Sequence, residues 1–380
     1  MTSEVKHIHI VSFNVPYPPN YGGVIDVFYK IKALHDLGVK VHLHTFHYGR
    51  EEAEKLKELC EKVYYYPRQK FYQAIYSRVP YIVGSRQSDS LLSTLIVDDY
   101  PILFEGLHTC FYLSHPSIRN RFKIVRMHNI EWDYYNSLGK AERNFFRKFY
   151  FYAESKKLKE YEEVLRDANL IVGISTSDTE YLGERFKNVA HLPAFHHNTA
   201  VGSKVGHGDY ALYHGNLSVQ ENNQAAIYLT RKIFDNIGHR LKIAGSKPSS
   251  MLQQEVKTRP NFELFSSPDD TTMASLIGNA HINVLPTFQA TGVKLKLINA
   301  LFNGRFCVVN KPMIENTGLE SLCIVCDSAD EMKAAIKNLF DQEFTQTELD
   351  KRIAVLEANY SNAANARHLM QLVWPAISVA

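Results

Sequence analysis

The sequence predicts an α/β protein of two Rossmann-like domains with an interdomain cleft, and three features predict it. Short apolar runs alternate with longer segments of helical periodicity almost throughout. The rhythm breaks at His196–Gly208, a polar stretch with little apolar content that reads as a linker, and then restarts. At 380 residues the chain is too long for one ordinary core. Alternation of this kind builds parallel sheets from strand–helix–strand units. The predicted boundaries are 1–200 for the first domain, 209–361 for the second, and 362–380 for a C-terminal helix.

The first strand falls at His7–Phe13. Val24, Val27, Phe28, Ile31 and Leu34 then repeat every 3.6 residues as a helix that Gly38 stops. Val39–Phe46 is the next strand and Glu51–Leu59 the next helix, with later strands at Pro101–Glu105, Lys123–Met127 and Leu170–Ile174. In the second half, strands fit Tyr210–His214, Leu241–Ala244, Phe262–Phe265, His281–Leu285, Phe306–Val309 and Leu322–Cys326. Open parallel sheets bind ligands at the carboxyl ends of their strands, so the useful residues should follow strands.

Composition narrows the class. Hydrophobic residues make up 45%, charged residues 22%, and net charge is +3, which gives no global field for nucleic acid. The five scattered cysteines do not make a disulfide framework, and Cys323 and Cys326 read as two core thiols. The start of the chain lacks a signal-peptide pattern, and no run of about 18 apolar residues exists. The expected location is the cytoplasm. His7 with His9, and His42 with His44, share strand faces. Without an accompanying carboxylate pattern they read as structural histidines, and no metal is expected. Aromatic and basic residues mix in Arg68–Arg86 and Arg143–Lys159. The favoured reading of the second stretch is a long helix with one aromatic face inward; the alternative is peripheral contact with an anionic membrane.

Four places carry candidate chemistry. A proline-stiffened loop after the first strand ends in Gly22-Gly23 before a helix, where free N–H groups favour an anion or a hydroxyl. Arg126-Met127-His128-Asn129-Ile130-Glu131 follows a later strand. There His128 can bond a hydroxyl or move a proton, while Asn129 can cap the following helix. Thr291 to Gly304 is the strongest signal: Thr291 as cap, Gly292 for close approach, Lys294 and Lys296 for a diphosphate, and Asn299 one turn on. Lys247, after another strand, adds charge to the same half.

These residues resemble a GT-B glycosyltransferase of the family 4 type, often encoded in bacterial polysaccharide loci, over nearly the whole chain. Gly22-Gly23 and His128-Asn129-Ile130-Glu131 match motifs of its first domain; Tyr213-His214-Gly215-Asn216-Leu217 and Thr291–Gly304 match its second. The resemblance implies transfer of a sugar from a nucleoside-diphosphate sugar to a glycan or lipid-linked acceptor, retaining and metal-independent. The acceptor would sit on the first domain and the donor on the second, with no cofactor beyond the donor substrate. It implies His128 as the catalytic residue, facing the donor sugar with Gly22 and Gly23, and Asn129, Gly215 and Asn216 as further donor contacts. Where family members place an arginine and a lysine, this chain has Asn216 and Glu221-Asn222. Where they carry two glutamates, it has Thr291 and Asn299. Lys294, Lys296 and Lys247 are expected to substitute. Two alternatives stand beside this reading: a sugar-nucleotide epimerase working through Glu105 and Glu131, and a non-catalytic nucleotide-sugar-binding homologue.

Overall fold

A computed structural model describes residues 5–70, 77–288 and 294–375. It divides into two compact units. The first joins the segment ending at His197 to the segment from Tyr360 onward; the second takes the chain between Asn198 and Asn359.

Unit 1 holds a seven-stranded parallel sheet. Its strands are β1 His7–Ser12, β2 Lys40–His47, β3 Lys62–Pro67, β4 Ile102–Glu105, β5 Lys123–Met127, β6 Leu170–Gly173 and β7 Val189–His191, in the order β3-β2-β1-β4-β5-β6-β7. Unit 2 holds β8 Tyr210–His214, β9 Arg240–Gly245, β10 Phe262–Ser266, β11 Ile282–Leu285, β12 Phe306–Val309 and β13 Ile324–Val325, in the order β10-β9-β8-β11-β12-β13. In each sheet the order reverses once, between β1 and β4 and between β8 and β11, the doubly wound pattern of a Rossmann-like fold.

The strands are apolar because helices cover both faces. Alternate residues go to opposite sides: Ile8 and Ile10 join one core cluster with Val27, Ile31 and Leu34, while Val11, Phe104 and Met127 join another. The C-terminal helix Asn362–Val373 packs Ala366, Leu369 and Val373 into the first of these clusters, so the chain ends on unit 1. Asn362 fastens the return, accepting from the His196 N–H at 3.1 Å and donating to the His196 carbonyl at 2.6 Å.

Several expectations need correction. The boundary between the units falls inside the stretch read as a linker, at His197–Asn198, but the rest of that stretch is bonded into unit 2: Gly202 N–H donates to Phe302 O at 2.7 Å, and Asn303 donates to Asn198 at 2.7 Å. The strands β3 and β7 are additional. The last strand shrinks to Ile324–Val325, and the free thiol of Cys323 beside it is hydrogen-bonded to that of Cys307 on β12, while Cys326 is buried. Asn129 does not cap the next helix; Ile130 holds that position, with no side-chain capping bond, and the helix runs Glu131–Ala141. Thr291 and Gly292 lie outside the described residues, and the helix expected from them runs Leu295–Asn303 with Lys294 at its N-cap. Helix Phe145–Tyr161 forms, but its aromatic face is not inward: Phe145, Phe146 and Phe149 are exposed.

The strand histidines are structural, and a carboxylate distant in sequence completes them. Asp98 accepts from His9 Nε2 at 2.9 Å. That leaves His9 Nδ1 to accept from His44 Nε2 at 2.8 Å, and His44 Nδ1 to accept from the Tyr66 hydroxyl at 2.9 Å. Burial pushes His44 well below its ordinary pKa, which keeps its ring neutral.

Candidate functional site

In unit 1 the candidate residues gather at the carboxyl ends of β1, β4 and β5, beside the point where strand order reverses. The helix Gly22–Asp36 supplies Asp26 and Lys30, one turn apart and both fully buried. Lys30 Nζ lies 2.8 Å from Asp26 Oδ2 and 2.8 Å from Glu105 Oε1, at the end of β4. Arg126 of β5 meets Asp26 at 2.9 Å. Two buried cations thus balance two buried carboxylates, the condition under which such charges survive desolvation. Burial alone would raise both acids, but Arg126 and Lys30 outweigh it at Asp26, and Lys30 with His128 outweighs it at Glu105; both are held low.

His128 is fixed by this network. Its Nε2 lies 2.9 Å from Glu105 Oε2. A carboxylate held ionised only accepts, so Nε2 carries the proton and, in the neutral ring, Nδ1 offers a lone pair. Among the described residues Nδ1 is buried with no hydrogen-bond partner. Asp26, Glu105 and His128 bring ligand atoms within 4.8 Å of one another, the spacing of a metal site. The Lys30 ammonium already bridges both carboxylates, so a cation there would have to displace it.

A second group adjoins His128 through Gly106. A Cβ on Gly106 would lie 2.9 Å from His108 Nδ1 and 3.7 Å from His128 Cδ2. Phe13 packs against both imidazoles, with ring centroids 5.5 Å apart in each case. Gly23 makes room for that ring: a Cβ there would stand 2.6 Å from Phe13 Cζ. The glycine pair therefore opens the first helix (Gly22 is its first residue), and Gly23 admits an aromatic side chain. Glu131 is buried, its Oε1 3.8 Å from His108 Nδ1 and without a hydrogen-bond partner. Burial pushes its pKa up to about 8, against the pull of Asn129 and Arg86, so at neutral pH it is a carboxylic acid able to donate.

In unit 2 the loop after β8 closes on the loop after β9. Gly245 is required there, since a Cβ would fall 1.9 Å from Gly215 O. Asn216 Oδ1 accepts from the hydroxyls of Ser218 at 2.6 Å and Ser246 at 2.7 Å. Its carbonyl accepts from Asn222 Nδ2 at 3.0 Å. Lys296 Nζ donates to Asn222 Oδ1 at 2.9 Å and lies 5.5 Å from the Tyr213 ring centroid. Burial pushes Lys296 down to about 8, with Glu221 opposing and Lys294 adding to the shift. His214 is buried at the end of β8 with Nε2 unpartnered, pushed down to about 3 by burial and by Lys296. Glu221 accepts from the Thr287 hydroxyl and from the Phe288 N–H.

The structure therefore brings Gly215, Asn216 and Lys296 together in unit 2, with Lys294 near enough to act on Lys296, and holds His128 and Asn129 in unit 1. Asn299 Oδ1 accepts from Asn303 Nδ2 at 2.8 Å. Lys247 is exposed on a left-handed backbone, φ 51°, with no bond joining it to Lys296. Sequence reasoning missed Asp26, Lys30, His108 and Ser246. Asp26 and Lys30 had left a signal, a charged i, i+4 pair set among the apolar residues Val24, Val27, Phe28, Ile31 and Leu34.

No family model matches the chain. A 44.6 kDa protein from the cps region of Klebsiella pneumoniae is 26% identical over 329 residues, covering 82% of this chain and 84% of that one. Among solved structures, Anabaena HepE in complex with UDP and glucose superposes with a TM-score of 0.65 at 10% identity, covering 96% of this chain and 98% of its own. A glycosyltransferase from Rickettsia africae gives 0.65 at 11%, covering 98% and 100%. The lipopolysaccharide outer core galactosyltransferase WaaB gives 0.62 at 12%, covering 97% and 99%. The fold is that of the GT-B glycosyltransferases.

Proposed function

We propose that the protein is a glycosyltransferase that moves a sugar from a nucleoside-diphosphate sugar to a glycan or lipid-linked acceptor. One observation carries the reading. The partly buried ammonium of Lys296 stands at the carboxyl ends of β8 and β9, bonded to Asn222 beside the tight Gly215–Gly245 contact. The positive charge that the family places near 221–222 here comes from the helix Leu295–Asn303. An ammonium kept out of water at such a position stabilises a diphosphate as it leaves. Lys294, Thr291, Gly292 and the start of the helix add N–H groups and charge, and Gly215 and Asn216 line the approach. HepE binds UDP and glucose, which makes uridine diphosphate sugars the first donors to try.

Unit 1 would take the acceptor. His128 offers its free Nδ1 to a hydroxyl and Glu131 offers a proton, while Glu105 stays behind His128 and touches no substrate. Glu105 is committed to Lys30 and His128, which leaves epimerisation with Glu131 alone of the two carboxylates considered for it. Retention, independence from metal and a cytoplasmic location belong to the same proposal. A lipid-linked acceptor would hold the reaction at the inner face of the cell membrane. No helix among the described residues is long and apolar enough to cross one.

A thermal-shift screen across nucleotide sugars tests the donor site. A ligand at 100 times its Kd stabilises by about 2.7 kcal/mol, a rise of about 3 °C for a chain of this length. Lys296→Ala should cut that rise to less than half and sharply lower the transfer activity. Parental transfer by Lys296→Ala would refute the assignment. Donor binding without turnover on any acceptor would favour the non-catalytic homologue.

A further inference from the structure

The helices Glu131–Ala141 and Phe145–Tyr161 form a hairpin held by close backbone approach. A Cβ on Gly139 would lie 2.9 Å from the Tyr152 ring, and Ser155 Oγ donates to Trp132 O at 2.7 Å. Glu154, Ser155 and Leu158 take the buried side of the second helix. The other side is apolar and open: Phe145 is 75% exposed, Phe146 80% and Phe149 69%, with Tyr150 and Tyr152 also exposed. At about 100° per residue, Phe145 and Phe149 fall within about 40° of one another, and Phe146 lies about 60° beyond Phe149. No other described helix leaves three phenylalanines in water, and a contiguous exposed apolar patch marks an interaction surface.

The charges around the patch choose the partner. Between Tyr134 and Ala153 stand Lys140, Arg143, Arg147 and Lys148, against the single carboxylate of Glu142. That carboxylate is turned into the bend of the hairpin, accepting from the N–H groups of Arg143 and Asn144 at 2.8 Å each. Arg147 and Lys148 flank the phenylalanines on either side of the helix. A second copy of the chain docked through this face would set cation against cation. An anionic bilayer answers both features, taking aromatic rings at the headgroup level and basic side chains against phosphate.

We propose that the tip of this hairpin docks on an anionic lipid surface, with Phe145, Phe146 and Phe149 in the interface and Arg143, Arg147 and Lys148 against the headgroups. The docking stands apart from the transfer reaction and needs no nucleotide sugar. The test is cosedimentation of the full chain with phospholipid vesicles. The parent should sediment with vesicles containing about 30 mol% phosphatidylglycerol at about 0.1 M salt and leave them at about 0.5 M. Binding to pure phosphatidylcholine should be much weaker. Phe146→Ser with Phe149→Ser should stay in the supernatant at an unchanged Tm, since both side chains are exposed. Arg147→Gln with Lys148→Gln should weaken binding by about fivefold per charge. Equal sedimentation of parent and phenylalanine variant would overturn the proposal, as would binding that ignores salt or lipid charge. A lipid-free dimer in sedimentation velocity that Phe146→Ser dissolves would assign the patch to a second copy instead.

Discussion

Raising the pH should release a nucleoside diphosphate from this protein well before ordinary lysines lose charge. Lys296 is the reason. Burial lowers its pKa from 10.5 to about 8, Glu221 only partly restoring it. The direction of the effect follows from which form binds. A diphosphate needs the ammonium, so affinity is full below about pH 8 and falls as pH rises through that value. At pH 9 about a tenth of the free sites carry the charge, so affinity should be about tenfold weaker than its limit, with a slope near one decade per pH unit. The terminal phosphate of the nucleotide titrates near 6 and contributes nothing in this range. Lys296→Arg keeps a charge throughout and should flatten the profile between pH 7 and 9.5. Lys296→Met should bind weakly at every pH, a loss of about 1.5–3 kcal/mol for a charged hydrogen bond. It should also unfold at a higher temperature than the parent without ligand, because it no longer desolvates an ammonium. Isothermal titration with UDP at constant ionic strength reads the first two effects and calorimetry the third. A parental profile flat from pH 7 to 9.5, or an equal slope in Lys296→Arg, would refute the reasoning.

Other parts of the structure make their own predictions. Lys30→Met leaves Asp26 and Glu105 buried with one cation between them and should cost about 3–5 kcal/mol in urea unfolding; a loss under 1 kcal/mol would mean the network is not closed to water. Glu131→Gln mimics the protonated acid present below about pH 8, so transfer at pH 7 should stay near parental; combined with Lys296→Arg, which removes the lysine's own titration near 8, it should abolish the remaining pH dependence there. Gly23→Ala sets a methyl against the Phe13 ring and should cost about 1–3 kcal/mol, read as a lowered Tm. Acid should unfold the protein through its neutral histidines. Burial holds His196 at about 4 and His214 at about 3, against 6.5 when unfolded. Stability is then complete above 6.5 and drains as pH falls, by about 2.7 kcal/mol for each by pH 4.5. An unchanged urea midpoint between pH 7.5 and 4.5 would contradict this.

Local pattern revealed the sheets because the strands near their centres are buried on both faces and mostly apolar. Lys123–Met127, Tyr210–His214 and Phe306–Val309 are legible to the residue. The strand Lys62–Pro67 escaped because it lies at the sheet edge and carries three tyrosines rather than an aliphatic run. Val189–His191 is too short to show a period. Composition shows that a helix is aromatic but not which neighbour it packs against, and at Phe145–Tyr161 the contact with the preceding helix passes through Gly139 and Ser155. Lys296 was visible as a cation after a strand. Its bond to Asn222, some 70 residues earlier in sequence, exists only in three dimensions. The same holds for the grip of Glu105 on His128, which turns an isolated histidine into an oriented one.

The return of the chain to unit 1 has a cost in time. The side of its sheet that carries Val27, Ile31 and Leu34 is covered by Ala366, Leu369 and Val373. About 160 residues separate His197 from that covering helix, and at 5–20 residues per second the ribosome needs roughly 8 to 33 s to deliver it. Throughout that interval the first-made half stands with an oily groove unfilled, a natural landing place for a chaperone and a hazard when synthesis stalls.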